Sequence, residues 1–397
     1  MNLVPLIPMV VAVAATACIN HVNVQCGQDS DCNLSAGGLC TAAVGTADRW
    51  CAYPDLSCGP DGYRYSTLDV GDGVSGACVP PVDAAPIDGT PSGPSISCKA
   101  VVHTCGVNSN DDCCRSLTVS GGTFFRNNDA AGDGDKNSPA TVSTFKLDKY
   151  EVTVGRFRAF LDANRGTQVN PPETGSGENP YIGGSGWSAA WNVKLPTDRA
   201  VAVSALKSAG SPFPTWTDVP GVSEELPITN VTWYEAMAFC AWDGAFLPTD
   251  AELNYAAAGG AEQRAYPWSS PPAAVTPVDD QHANFGCRGA TECVASDIHK
   301  VGLLPMGDGK FGQSDLAGNA AEWVLDWNEF GQGACLNGKN TTTDCADIGA
   351  HGPDSPKLMR GDNFLERDVT KLRTSQFTSE FANAGYGYFG IRCGRTP

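Results

Sequence analysis

Seventeen cysteines, at positions 18, 26, 32, 40, 51, 58, 78, 98, 105, 113, 114, 240, 287, 293, 335, 345 and 393, are the residues best able to do chemistry in this 397-residue chain. Thiols can hold a soft metal, act as nucleophiles or pair into disulfides. A zinc site needs closely spaced cysteine pairs with accessory histidines. No CxxC pair occurs, and the five histidines are scattered at 21, 103, 282, 299 and 351. No HxxxH or HxxxE spacing offers a histidine-based iron site. With Cys18 set aside, sixteen cysteines remain, an even number. Disulfides formed in an oxidising compartment are therefore the expected use. Neighbouring cysteines rarely bond each other, so Cys113 and Cys114 are expected to make two bridges to other partners.

The charge balance narrows the partners. Lys and Arg total 26 against 44 Asp and Glu, a net charge of -18. A nucleic-acid binder needs cations to displace counterions, so that class is excluded. The same acidity argues against a polybasic membrane patch. Charged residues make up 18%, while 45 Gly and 27 Pro point to a loop-rich protein. A hydrophobic share of 42% is still enough to fill a core.

The N-terminus accounts for the oxidising compartment. Leu3 to Ala15 is an uncharged run of 13 residues, too short to span a bilayer but suited to a signal sequence. It leads into Ala15-Thr16-Ala17-Cys18, which resembles the bacterial lipobox, with Cys18 lipidated. The alternative is an ordinary signal peptide with Cys18 in a disulfide. The expected product is exported and membrane-anchored through its N-terminal lipid, on the periplasmic, outer-membrane or cell-surface side.

Four segments are expected: residues 1–17 as a lipoprotein signal, 18–78 as a disulfide-stapled cysteine-rich module, 79–97 as a Pro-rich linker and 98–397 as the main domain. The elements that position its side chains are partly legible. Gly121–Phe125 and Val142–Tyr150 read as strands. Thr153 can cap a helix burying Val154, Phe157, Phe160 and Leu161. Residues 164–225 read as a long irregular excursion over the surface. Thr232-Trp-Tyr-Glu235 and Thr249-Asp-Ala-Glu252 are capping boxes, predicting helices that end near Gly244 and Gly259. Glu252 is thereby a cap rather than a catalyst. Trp187, Trp191, Trp216 and Trp233 read as core.

From residue 121 onward the chain resembles a known family. Gly121-Gly-Thr-Phe-Phe125, Lys149-Tyr-Glu-Val-Thr153, Leu226-Pro-Ile-Thr-Asn-Val-Thr-Trp233 and Phe246-Leu-Pro-Thr-Asp-Ala-Glu-Leu-Asn-Tyr255 match its motifs in order. Tyr266-Pro-Trp268, Gly318-Asn-Ala-Ala-Glu-Trp323, Arg360-Gly361 and Phe389-Gly-Ile-Arg-Cys393 continue the series. The family is the sulfatase-modifying factors, or formylglycine-generating enzymes. The resemblance implies an α+β, C-type-lectin-like fold with little regular structure. It implies a Cys240–Cys393 bridge, while the family's second bridge is missing at Ala257. Cys287–Cys293 and Cys335–Cys345 are expected as local pairs in insertions.

The family oxidises a sulfatase cysteine with oxygen and a copper ion held by two cysteines. In the matching stretch, Arg360 to Gln376, Glu366 falls near the first ligand position and Val369 near the second. No cysteine lies between 345 and 393. The remaining cysteines are expected elsewhere and oxidised, so copper is disfavoured. Iron, used by other branches of the fold, stays open. The resemblance also implies structural calcium. One site would use Ala317, Gly318, Ala320 and Glu322, the alternative for Glu322 being a salt-bridged buried acid. A second would begin at Asn284 and Phe285, with Asp297 as a further candidate. The expected function is a non-catalytic binding or scaffold domain for an unknown protein or small-molecule ligand. The alternatives are a formylglycine-generating oxidoreductase that matures sulfatases, or a non-heme-iron oxidoreductase of the same fold.

Overall fold

The computed structural model describes residues 32, 39–42, 49–55, 63–65, 95–98, 104–132, 138–207, 212–328, 335, 342–349 and 355–397. The chain divides into two units, Met1–Thr90 and Pro91–Pro397. The signal segment, Cys18 and most of the linker lie outside the described residues. In the first unit, Leu39–Ala42, Arg49–Pro54 and Tyr63–Tyr65 form an antiparallel three-stranded sheet. A Cys32–Cys51 disulfide ties it.

The second unit is α+β, with short elements separated by long ordered loops. Four helices are described: α1 Val154–Asp162, α2 Arg199–Leu206, α3 Trp233–Trp242 and α4 Asp250–Ala257. Both capping boxes form, with Thr232 and Thr249 accepting from the amides of Glu235 and Glu252 while each glutamate returns to its cap amide. Thr153 caps α1, which buries Val154, Phe157, Phe160 and Leu161. α3 is buried from Trp233 to Cys240, as expected of a helix that is apolar all round.

The central sheet has four strands in the order Thr378–Phe381, Pro356–Arg360, Ala321–Trp327, Phe389–Gly390. Ala321–Trp327 is buried at every position. Its backbone is tied to α3 by Trp233 Nε1, which donates to Val324 O at 2.8 Å. Two three-stranded sheets flank it. One orders Thr342–Thr343, Pro139–Val142 and Gly122–Phe125; the other orders Gly394–Arg395, Phe145–Asp148 and Ser116–Val119. The expected strand over 142–150 is thus two strands. Between them Ser143 donates through N and Oγ to the Asp344 carboxylate, each at 2.7 Å.

Two expectations need correction. Residues 164–225 are not merely a surface excursion. They carry α2, capped by Asp198, and bury Trp187, Leu195, Leu206 and Trp216 in the largest core. The linker boundary also moves. Ser95 and Ser97 are buried, and Ser97 N donates to Asp243 Oδ1 at 2.7 Å, so these residues pack with the main domain.

Disulfides join Cys98–Cys114, Cys105–Cys113, Cys240–Cys393, Cys287–Cys293 and Cys335–Cys345. Cys113 and Cys114 therefore bond to separate partners. Beside the Cys240–Cys393 bridge lies a buried ion network. Arg156 Nη2 approaches Asp148 at 3.0 Å and Asp243 at 2.8 Å, and Arg395 pairs with the same two acids at 2.8 and 2.6 Å.

Candidate functional site

The segment that follows strand Pro356–Arg360 is anchored through Arg360. Its guanidinium donates to Asp250 Oδ1 and Oδ2 at 2.7 and 2.9 Å, and to the carbonyls of Thr374 and Gln376 at 3.1 and 3.0 Å. Residues 361–376 are therefore held at both ends by one buried side chain. Gly361, at φ +88°, makes the turn out of the strand. A Cβ there would sit 3.2 Å from Leu316 O in a conformation that disfavours side chains.

Within the segment, Glu366 Oε1 accepts from Asp368 N at 2.7 Å. Val369 opens a 3-10 turn, Val369–Leu372, and its carbonyl accepts from Tyr266 Oη at 3.0 Å. Burial, with Glu366 nearby, pushes the Asp362 carboxyl up to about 6. The chemistry offered by Glu366 and Val369 is one hard carboxylate and one apolar side chain.

The 286–293 loop docks on this segment, a juxtaposition missed from sequence. Gly286 N donates to Glu366 O at 2.7 Å and Cys287 N to Phe364 O at 2.8 Å. Arg367 Nη2 reaches back to Ala290 O at 2.7 Å, Thr291 O at 3.2 Å and Cys293 Sγ at 4.0 Å. The expectation that every cysteine lies elsewhere is thus corrected for Cys287 and Cys293. Their disulfide sits beside the segment where thiolates were sought.

The candidate cation residues converge on Asn319. Its Oδ1 accepts from Asn284 Nδ2 and from His299 N, both at 3.0 Å. Its Nδ2 donates to Glu151 Oε2 at 2.7 Å and His299 O at 3.3 Å. Gly318 permits the close approach, since a Cβ there would lie 2.4 Å from Asn284 O. Asn284 Nδ2 also donates to Asp297 O at 2.8 Å. Asn284 Oδ1 is buried without a hydrogen-bond partner, as are both ring nitrogens of His299. A buried acceptor without a donor is costly, and a cation would satisfy it. Asn284 Oδ1 is thus a buried acceptor open to a cation, while Asp297 Oδ2 accepts from Val294 N at 2.8 Å.

The other expected calcium set does not fit. Arg392 Nε donates to both Glu322 oxygens at 2.9 and 3.1 Å, and Nη2 to Oε1 at 2.6 Å. Glu322 is the salt-bridged buried acid, the alternative left open for it. Ala317, Gly318 and Ala320 thereby lose the carboxylate that was to complete their site.

Residues 103–397 match the sulfatase-modifying factor enzyme 1-like domain. The chain belongs to this family. Within it, the chain is 25% identical to a formylglycine-generating enzyme of Thermomonospora curvata over 307 residues, covering 71% of this chain and 93% of that protein. It is 27% identical to a mouse inactive C-alpha-formylglycine-generating enzyme 2 over 223 residues, covering 51% of this chain and 66% of that protein. Among solved structures it is similar to PvdO from Pseudomonas aeruginosa, with 17% identity, a TM-score of 0.46, and coverage of 71% of this chain and 94% of that one. Copper, which membership of the sulfatase-modifying factor family implies, does not fit Glu366 and Val369: Glu366 is committed to Asp368 N and neither side chain is a thiolate. Among the described residues, the metal-type grouping of three is Cys98, Asp112 and Cys114, whose two sulfurs are bonded to each other.

Proposed function

We propose that this chain is a binding or scaffold member of the family that does not generate formylglycine by the copper route. The observation that carries the reading is the pair Glu366 and Val369, where resemblance places the copper thiolates. Copper(I) at that position needs electron-rich sulfur, and a carboxylate with an apolar neighbour supplies none. A relative described as inactive gives the reading a precedent in the family. The bound partner is a protein or small molecule that meets the 361–376 segment.

In this reading calcium is structural. Asn284 Oδ1, the carbonyl of Phe285 and Asp297 would hold it, and its role is to fix the loop that abuts residues 364–367. The domain is exported and held to a membrane by a lipid on Cys18, ahead of the stapled module. The non-heme-iron alternative needs imidazoles facing one centre. His282 and His299 are the histidines among the described residues, and His282 Nδ1 is occupied by Asp279 at 2.8 Å.

The test is direct. Purified protein is incubated aerobically with a sulfatase-type cysteine peptide, calcium and either copper(I) or iron(II), and the peptide mass is followed. An unchanged peptide is expected in both arms. Copper-dependent aldehyde would overturn the reading, and iron-dependent aldehyde would move the iron alternative ahead of it.

A further inference from the structure

The Cys287–Cys293 disulfide combines three features that bear on chemistry. First, its sulfurs are unequally placed: Cys287 is fully buried, whereas Cys293 is half-buried. Second, a guanidinium lies next to the more accessible sulfur, with Arg367 Nη2 at 4.0 Å from Cys293 Sγ. A cation at that distance stabilises a thiolate and makes it both a better leaving group and a more populated nucleophile. Third, the bridge lies on the candidate functional segment, fastened to Phe364 and Glu366 by backbone hydrogen bonds of 2.8 and 2.7 Å. Cys105, Cys113, Cys240 and Cys393 are at most 1% exposed, while Cys98–Cys114 and Cys335–Cys345 also carry one half-buried sulfur each; the guanidinium and the position on the candidate segment are what set Cys287–Cys293 apart. The bridge spans 6 residues in sequence, against 153 for Cys240–Cys393, so it restricts the unfolded chain far less.

We propose that Cys287–Cys293 is a thiol–disulfide exchange centre, with Cys293 as the sulfur attacked by a thiol that reaches the 361–376 segment. The incoming thiolate forms a bond to Cys293 Sγ, and the Cys287–Cys293 bond breaks. Cys287 leaves with the electron pair and takes a proton. A second thiolate attacks the incoming sulfur of that mixed disulfide, expelling Cys293 as a thiolate beside Arg367. Two electrons pass from two thiols to one disulfide, and their two protons go to solvent or to the cysteines. The substrate class is a thiol, either a small soluble one or an exposed cysteine of a peptide. The inference uses the same segment as the proposed function but depends on neither calcium nor the lipid, and its test does not read formylglycine.

The test uses the full chain equilibrated in buffers of defined glutathione to glutathione disulfide ratio, quenched with acid, alkylated and mapped by mass spectrometry. The expected result is that Cys287–Cys293 opens at ratios that leave Cys240–Cys393 and Cys105–Cys113 closed. Cys287→Ser should trap glutathione on Cys293. In that variant, Arg367→Gln should slow alkylation of Cys293 at pH 7 by about tenfold and move its pH midpoint upward toward the ~8.5 of a free cysteine. The proposal is overturned if the pair opens no earlier than the buried bridges. It also falls if Cys293 alkylates as a free cysteine whatever stands at 367. If Cys287→Ser does not fold, the wild-type mapping alone decides.

Discussion

Arg392 Nη2 lies 2.6 Å from Glu322 Oε1, and both side chains are almost wholly buried. The same guanidinium donates to the carbonyls of Asp148, Lys149 and Ser314 at 3.0, 2.7 and 2.7 Å. Arg392 is thus the hub joining strand Phe145–Asp148, the 302–319 loop and the central sheet. Burial, together with Asp315 and Glu322, pushes the Glu151 carboxyl well above the usual range, and burial lifts Asp315 to about 6.

Breaking this pair from either side should be costly, by about 3–5 kcal/mol, because the remaining charge stays buried. Arg392→Met should cost more than Glu322→Gln, since it also strands three backbone carbonyls. Urea unfolding of both variants checks the order, and equal losses would contradict the hub role.

Calcium should raise the melting temperature of the protein relative to a chelator, and Asn284→Ala should lose that increment. A ligand at a hundred times its dissociation constant stabilises by about 2.7 kcal/mol. Glu322→Gln should keep the increment, because its carboxylate belongs to Arg392. Loss of the increment in Glu322→Gln would move the ion to the other site.

Glu252 ties stability to pH. Burial pushes its carboxyl up to about 7, against the pull of Thr249 N and of the Asn179 and Thr249 side chains. The folded state therefore keeps a proton that the unfolded chain, near 4.5, gives up. The contribution is complete below pH 4.5 and is lost as pH rises through 7. Relative to wild type, Glu252→Gln should gain stability steadily between those limits. A flat difference across that range would show that Glu252 does not titrate in this way.

The double substitution Cys240→Ala with Cys393→Ala should cost about 3–5 kcal/mol in the chain-entropy view. The loop it closes separates the two cysteines by 153 residues. Thermal unfolding with intact local bridges gives the measure.

Cys18→Ser should abolish incorporation of labelled fatty acid and release the protein from membranes. Normal labelling of the variant would return Cys18 to a disulfide.

What could be read from the chain was local. Both capping boxes are set by residues three apart, so Thr232–Glu235 and Thr249–Glu252 were legible from spacing. α2 had a comparable signal in Asp198 ahead of Val201 and Ala202, but Gly and Pro on either side masked it. The Cys240–Cys393 bridge was accessible through motif resemblance, not spacing. The competition of Arg392 for Glu322 was not, because it is made between residues 70 apart, Glu322 on the central strand and Arg392 in the link between the last two strands. The docking of Cys287 on Phe364 was hidden for a related reason: it is a backbone hydrogen bond, and side-chain identity says nothing about it.

The ion network around Arg395 has a consequence for the order in which this protein is assembled. Asp148 and Asp243 are both buried. Among the described residues, Arg156 is the lone cation that pairs with both of them until residue 395 is synthesised. Two acids against one base leave an uncompensated charge that the interior cannot accept cheaply. Synthesis runs at roughly 5–20 residues per second from the N-terminus. A nascent chain that already carries strands Ser116–Val119 and Phe145–Asp148 therefore lacks its third strand and second guanidinium until Gly394 and Arg395 arrive together. Closure of this part of the domain is therefore a late event in its assembly, set by where along the chain the balancing charge is encoded.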